Sequence, residues 1–220
     1  MKLTRRNIIM TNIEKHFNEF KKHRLSTIVR TNDYDHAMKI IEGSIAGGIN
    51  FIELTLTIPN VFELIKEARK RFPDANIGAG TVLTIDDAKK SIAAGATYLV
   101  DPVCDVELLK WCNEQDVLLI ASGATPTEMY NLQMGGAKII KFFPAMIGGP
   151  EMVKLILNPF PQFNLLATAG PNQSNMDEYF KAGVLGCGIT ADLGGAPVGT
   201  SLEEITEIAK KYVAITAKYL

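Results

Sequence analysis

Short apolar runs alternate with amphipathic, charge-bearing runs along the whole chain, and they recur at regular intervals. Successive apolar runs begin roughly 19–26 residues apart, which is the length of one strand plus one helix. A further helix is expected at about 9–21, before the first strand. The eight predicted strands are at 25–30, 51–57, 77–82, 98–102, 117–123, 138–145, 164–170 and 184–190.

Continuous apolar strands covered by helices indicate a parallel sheet with both faces buried. Eight consecutive strand–helix units favour a closed barrel over the alternative, an open doubly wound sheet. The open sheet would carry a glycine-rich phosphate fingerprint after its first strand, and VRTNDYD (29–35) contains no glycine. We therefore predict an α/β protein with a single (β/α)8 TIM barrel domain over residues 1–220. Residues 1–24 would be its N-terminal leader and helix.

Composition excludes several classes of protein. No uncharged apolar run approaches the ~18 residues of a membrane span. The chain has 23 Lys and Arg against 24 Asp and Glu, so it lacks the basic excess of a nucleic-acid-binding protein. The start, MKLTRRNIIMTN, has no apolar core like that of a signal peptide. The three cysteines are widely spaced, which suits a reducing cytoplasm. We expect a cytoplasmic protein with no nucleic-acid or membrane partner.

Lys141 lies among apolar residues in the predicted strand KIIKFFPA (138–145). In barrels of this kind the reactive groups lie at the C-terminal ends of the strands. Burial disfavours the charged form of an amine and so provides a nucleophile, which can form a Schiff base with a carbonyl substrate. The alternative is a strand-end lysine paired with a surface carboxylate.

Glu53 lies in FIELTLT (51–57), whose alternation places Glu53, Thr55 and Thr57 on one face. We expect this face to point into the barrel. A carboxylate there is suited to proton transfer, although it could instead be a structural group held by a neighbouring lysine or arginine. Glu53 and Lys141 reinforce each other, because imine chemistry needs both an amine and a proton carrier.

Other strand ends carry weaker signals. Arg30, at the end of the first strand, could hold a substrate carboxylate or form a salt bridge at the rim. GAGTV (78–82) offers the Thr81 hydroxyl and close backbone approach, or simply close strand packing. ATAGPN (167–172) and GCGIT (186–190) end the last two strands, where barrels frequently bind phosphate through backbone N–H groups.

Motifs for metal and nucleotide chemistry are missing from the sequence. It contains no HxH, HExxH, CxxC or GxSxG motif and no phosphate loop. The three histidines lie on helical or N-terminal segments. We therefore predict no catalytic metal and no cofactor.

Glu53, GAGTVL (78–83) and KFFPA (141–145) together resemble the 2-keto-3-deoxy-6-phosphogluconate (KDPG) and 4-hydroxy-2-oxoglutarate (KHG) aldolases. The resemblance runs from about residue 25 to 215. It implies a homotrimer of metal-free (β/α)8 barrels that binds a small keto acid and cleaves it to pyruvate and an aldehyde. Lys141 matches the Schiff-base lysine and Glu53 the acid/base glutamate of that family.

Further site residues follow from the resemblance and from the strand ends. The predicted substrate-binding residues are Arg30, Thr57, Thr81, Pro102, Phe143 and Thr168. The predicted phosphate-binding residues are Ala169, Gly170, Gly188 and Thr190.

The chain departs from the family pattern at some of these positions. Thr57 stands where many members have arginine, Asp101 where serine is usual, and Ala169 where glycine is usual. Ile189 adds bulk beside the expected phosphate site. Asp101 close to a substrate anion would be unfavourable unless it points away.

Three functions remain open at this point. The first is cleavage of KDPG to pyruvate and glyceraldehyde 3-phosphate. The second is the same chemistry on KHG, or on an unphosphorylated or epimeric keto acid, as the changed strand ends suggest. The third is a barrel that binds a sugar acid without turnover.

Overall fold

The computed structural model describes residues 10–220, and within them eight parallel strands close into a barrel. Each strand pairs with the next along the chain, and the first pairs with the last. This confirms the predicted (β/α)8 fold. The strands are β1 (Leu25–Val29), β2 (Phe51–Thr55), β3 (Asn76–Gly80), β4 (Tyr98–Val100), β5 (Leu118–Gly123), β6 (Ile140–Phe142), β7 (Leu165–Thr168) and β8 (Gly186–Ile189).

Helices alternate with these strands and cover the outside of the barrel. A short π-helix (Thr190–Gly194) follows β8, and a 3-10 turn (Ala217–Tyr219) ends the chain. The helices are α1 (Asn12–His23), α2 (Tyr34–Ala46), α3 (Val61–Arg71), α4 (Ile85–Ala93), α5 (Val106–Glu114), α6 (Pro126–Met134), α7 (Gly149–Leu157), α8 (Met176–Ala182) and α9 (Leu202–Thr216).

Element boundaries differ from the sequence prediction at identifiable residues. Helix α1 begins at Asn12 because the Thr11 side chain accepts the N–H of Glu14 and caps the helix there. The first residue of the predicted helix, at position 9, lies outside the described residues. Strands β3 and β7 end earlier than predicted, because Thr81 (φ 62°) and Ala169 (φ 55°) adopt left-handed backbone that cannot continue a strand.

The barrel interior is apolar at its N-terminal end. Phe20 of α1 packs edge-on against Phe51 at the start of β2, with ring centroids 5.1 Å apart, and Phe51 contacts Tyr98 at the start of β4. Helix α1 therefore closes this end of the barrel. The interior cluster comprises Phe20, Phe51, Tyr98, Val100, Leu118, Ile120, Ile139 and Leu166. Glu53 lies two residues beyond Phe51 on β2, nearer the other end.

Candidate active site

Glu53 of β2 and Lys141 of β6 meet inside the barrel. Their side chains approach to 3.6 Å between Oε1 and Nζ, and the residues are only 2% and 5% exposed. The Phe143 ring lies 5.3 Å from the same Nζ. The partner of Lys141 is thus a buried carboxylate, so the alternative of a surface salt bridge is wrong. The pair brings an amine and a carboxylate together in one enclosed site.

Two glycines of β3 make room for this arrangement. A Cβ on Gly80 would stand 2.1 Å from Oε1 of Glu53, so only glycine leaves space for the carboxylate. A Cβ on Gly78 would meet the Tyr98 ring at 2.4 Å. Gly78 thus allows the close packing that was the alternative considered for GAGTV, and Gly80 leaves room for the Glu53 side chain.

Arg30 and Thr57 lie at the rim, where the strands end. The Arg30 side chain is exposed, its backbone N–H donates to the carbonyl of Gly194 at 2.9 Å, and it makes no ion pair within residues 10–220. A rim salt bridge is therefore not its role among those residues. Thr57 lies in the turn after β2 rather than in the strand, and its hydroxyl is 2.9 Å from that of Thr55.

Thr168, Thr81 and Ala169 carry signs of a binding site. The hydroxyl of Thr168 is buried and has no hydrogen-bond partner in the described part of the chain. A buried polar group without a partner is costly, which a bound ligand would relieve. Thr81 and Ala169 hold left-handed backbone, a strained conformation for residues with a side chain and one that clusters at functional sites.

The ends of β7 and β8 are tightly packed. A Cβ on Gly170 would lie 2.4 Å from the Tyr179 hydroxyl, and one on Gly188 would lie 2.8 Å from Cγ2 of Thr168. Within residues 10–220 the N–H groups of Ala169 and Gly170 donate no backbone hydrogen bond. Thr190 follows β8 and opens the π-helix. These groups border one edge of the barrel mouth.

The family model for KDPG and KHG aldolases matches residues 17–208. The chain belongs to the KDPG and KHG aldolase family. The matched segment contains both members of the buried Lys141–Glu53 pair and all eight strands of the barrel. The protein is therefore an aldolase, a carbon–carbon lyase.

Individual relatives agree with this assignment. The 2-dehydro-3-deoxy-phosphogluconate aldolase of Pseudoalteromonas atlantica is 31% identical over 198 residues, which cover 89% of this chain and 92% of that protein. The KHG/KDPG aldolase of Escherichia coli K12 is 31% identical over 153 residues, which cover 69% of this chain and 72% of that protein. The KDPG aldolase of Legionella pneumophila was solved with pyruvate captured as a covalent carbinolamine. It superposes with a TM-score of 0.80 at 29% identity, and the match covers 89% of this chain and 97% of that one.

No helix within residues 10–220 is long and apolar enough to cross a membrane. The same part of the chain contains no group of three or more His, Cys, Asp or Glu side chains that could hold a metal ion.

Ser122 lies beside Lys141, a position that the sequence did not suggest. It pairs with Lys141 in the register of β5 and β6, and it binds Asp101 at the end of β4. Ser122, Pro102 and Phe143 line a cavity of about 190 Å³ between the ends of these strands. A largely apolar strand with one small polar residue does not indicate a site, because the contact with Lys141 depends on the register of the neighbouring strand.

Asp101 is fully buried, and its burial raises the pKa of the carboxyl to about 7. The backbone N–H of Ser122 and the charge of Lys141 oppose this increase. One carboxyl oxygen, Oδ1, accepts the Ser122 N–H at 2.6 Å, while Oδ2 has no hydrogen-bond partner within the described residues.

Replacing Gly80 with alanine tests whether Glu53 needs the space beside β3. The added methyl would overlap the carboxylate, so Glu53 must move away from Lys141. We expect kcat to fall about 100-fold, the usual contribution of a positioned proton carrier. Gly135→Ala is the control for introducing alanine, because Gly135 has ordinary backbone (φ −74°) and an added Cβ would come closest to the tip of the Leu109 side chain, at 3.0 Å. Wild-type kcat in a folded Gly80→Ala protein would contradict this reading.

Proposed function

We propose that this protein is a class I aldolase that cleaves KDPG to pyruvate and glyceraldehyde 3-phosphate. The observation that carries the proposal is the buried contact of 3.6 Å between Lys141 and Glu53. The relative from Pseudoalteromonas atlantica, named for the same substrate, supports it.

In this mechanism Lys141 is the nucleophile. Its amine adds to the C2 carbonyl carbon of the substrate, and loss of water from the carbinolamine gives an iminium ion. Glu53 removes the proton from the C4 hydroxyl, the C3–C4 bond breaks, and its electrons move into the iminium to give an enamine. The aldehyde leaves, C3 is protonated, and hydrolysis releases pyruvate and the free lysine. The covalent carbinolamine of the Legionella pneumophila enzyme supports an amine nucleophile.

Polar groups at the rim would hold the keto-acid end of the substrate. Arg30 carries an exposed guanidinium at the end of β1, which suits a carboxylate. The unpartnered Thr168 hydroxyl can donate to the same group. Thr57 and Thr81 would add hydroxyl contacts, and Pro102 and Phe143 would pack against the carbon chain.

The ends of β7 and β8 would bind the phosphate. The N–H groups of Ala169 and Gly170 are available as donors, and the Thr190 hydroxyl stands at the start of the π-helix. Gly188 keeps β7 and β8 close enough for both to contribute. This is the phosphate position common to many barrels of this class.

A second candidate function is cleavage of KHG or another unphosphorylated or epimeric keto acid. The observation that favours it is Asp192, an exposed carboxylate in the π-helix that follows β8. Gln173 and Tyr212 both donate hydrogen bonds to it and hold it in place. An anion fixed beside the expected phosphate position would weaken binding of a phosphate dianion.

We also propose a cytoplasmic homotrimer. The three cysteines are free, which suits a reducing compartment. Met146, Ile147 and Leu155 expose large apolar side chains on α7 and the segment before it, as a subunit interface would require. Sedimentation equilibrium should give a mass near three chains, and a single-chain mass would contradict the trimer.

The proposed activity is tested by release of pyruvate from KDPG. Lys141→Met should reduce kcat at least about 10³-fold, because no imine can form. Glu53→Gln should reduce it about 10²–10⁴-fold. Lys138→Met removes a lysine on the same segment whose partner is Glu14 at the surface, and it should keep wild-type activity.

Circular dichroism must show that each variant is folded, since breaking a buried ion pair is destabilising. Lys141→Arg, which keeps the positive charge but cannot form an imine, is a second inactive variant. Failure of the wild-type protein to release pyruvate from either KDPG or KHG would leave the sugar-acid-binding alternative.

Ala169→Gly tests the phosphate position. Removing the methyl relieves the left-handed strain and lets a phosphate approach the two N–H groups more closely. We expect kcat/KM for KDPG to rise about threefold, with no change for KHG, since a bound phosphate is the only group affected. An equal change for both substrates would show that phosphate does not bind there.

A further inference from the structure

The carboxyl group of Asp101, directly after β4, bonds to β5, the strand next to the one that carries Lys141. Its Oδ1 accepts the N–H of Ser122 at 2.6 Å, and the Ser122 hydroxyl donates to the Asp101 backbone carbonyl. Ser122 is in turn paired with Lys141 across β5 and β6. Asp101, Ser122 and Lys141 therefore form a row across three adjacent strands, at the end of the barrel where the substrate enters.

The other oxygen of this carboxyl, Oδ2, is buried and has no partner within residues 10–220. A fully buried carboxylate with an unpartnered oxygen is costly, so the neutral form is favoured. Burial accordingly raises the pKa of Asp101 to about 7. The group thus changes charge near neutral pH.

The titratable and charged groups around Asp101 come from several elements. Lys141 of β6 favours the charged form, and Asp105, at the start of α5, disfavours it. Cys104 precedes α5 and Cys112 lies within it, and both thiols have a raised pKa, chiefly because of burial. Glu128 of α6 acts on Cys104 rather than on Asp101 directly. Lys141 is therefore the cation that most strongly favours the charged form of Asp101 among the described residues.

We infer that Asp101 is a positioning residue whose charge sets how tightly the site holds a keto-acid anion. When neutral, it supports β5 through Ser122 and adds no negative charge near the Lys141–Glu53 pair. When ionised, it places a second negative charge behind the cavity lined by Pro102, Ser122 and Phe143, and so repels the substrate carboxylate. The inference rests on the proposed function, because it requires a keto-acid substrate at Lys141.

The test is the pH dependence of pyruvate binding, measured as the pyruvate concentration that half-saturates borohydride inactivation at pH 6 and pH 8. Between pH 6 and pH 8 this concentration should rise by some factor in each protein. The factor for the wild type should be at least about three times the factor for Asp101→Asn. Asparagine is neutral at both pH values and keeps an oxygen for the Ser122 N–H. The ratio of the two proteins cancels pH effects that they share.

Asp105→Asn is the matched control. It removes a neighbouring negative charge but preserves the cap that Asp105 forms with the N–H of Leu108. Because Asp105 disfavours the charged form of Asp101, this variant should keep the pH dependence but move it to lower pH. A merely structural role for Asp101 would change activity equally at both pH values.

The outcomes separate the inference from the proposed function. If the wild-type protein binds pyruvate with no inflection between pH 6 and 8, the inference is wrong and the aldolase proposal stands, whether or not the variant folds. The same holds if Asp101→Asn retains the wild-type inflection. If pyruvate inactivates the wild-type protein at neither pH, both proposals fail together.

Discussion

The enclosed contact between Lys141 and Glu53 is the interaction on which the arrangement at the C-terminal ends of the strands depends. These two opposite charges lie 3.6 Å apart and are both buried. Removing either one would destabilise the fold, because the other would remain uncompensated in a low-dielectric interior. Gly80 admits the carboxylate, and the apolar cluster capped by Phe20 closes the opposite end. The polar chemistry is thus held at one end of an otherwise apolar barrel.

Two strained residues and two unpartnered buried polar groups lie near this end, while Arg24 and Asp116 adopt left-handed backbone before β1 and β5. Thr81 and Ala169 adopt left-handed backbone directly after their strands, and the Thr168 hydroxyl and one oxygen of Asp101 are buried without partners. Each feature is unfavourable for the protein alone, and a well-packed barrel elsewhere offsets it. Their common location is what a site shaped for a ligand, rather than for stability, would produce.

The fold was predictable because one physical rule governs every unit. Apolar strands that alternate with amphipathic helices leave few arrangements other than a closed parallel barrel, and the alternation is visible residue by residue. Lys141 was detectable as a charge where the pattern demands an apolar group, and Glu53 as a carboxylate on the strand face expected to point into the barrel. Thr57 was wrongly assigned to a strand, because alternation continues into a turn. Ser122 was missed, because its importance comes from register with Lys141 and from the neighbouring Asp101.

The measurement that tests the central claim most directly is covalent trapping. The wild-type protein would be incubated with pyruvate, reduced with sodium borohydride and digested for peptide mapping by mass spectrometry. The account predicts one reduced pyruvate adduct per chain, located on Lys141. An adduct on another lysine, or none on a protein shown to be folded, would contradict the assignment of Lys141 as the nucleophile.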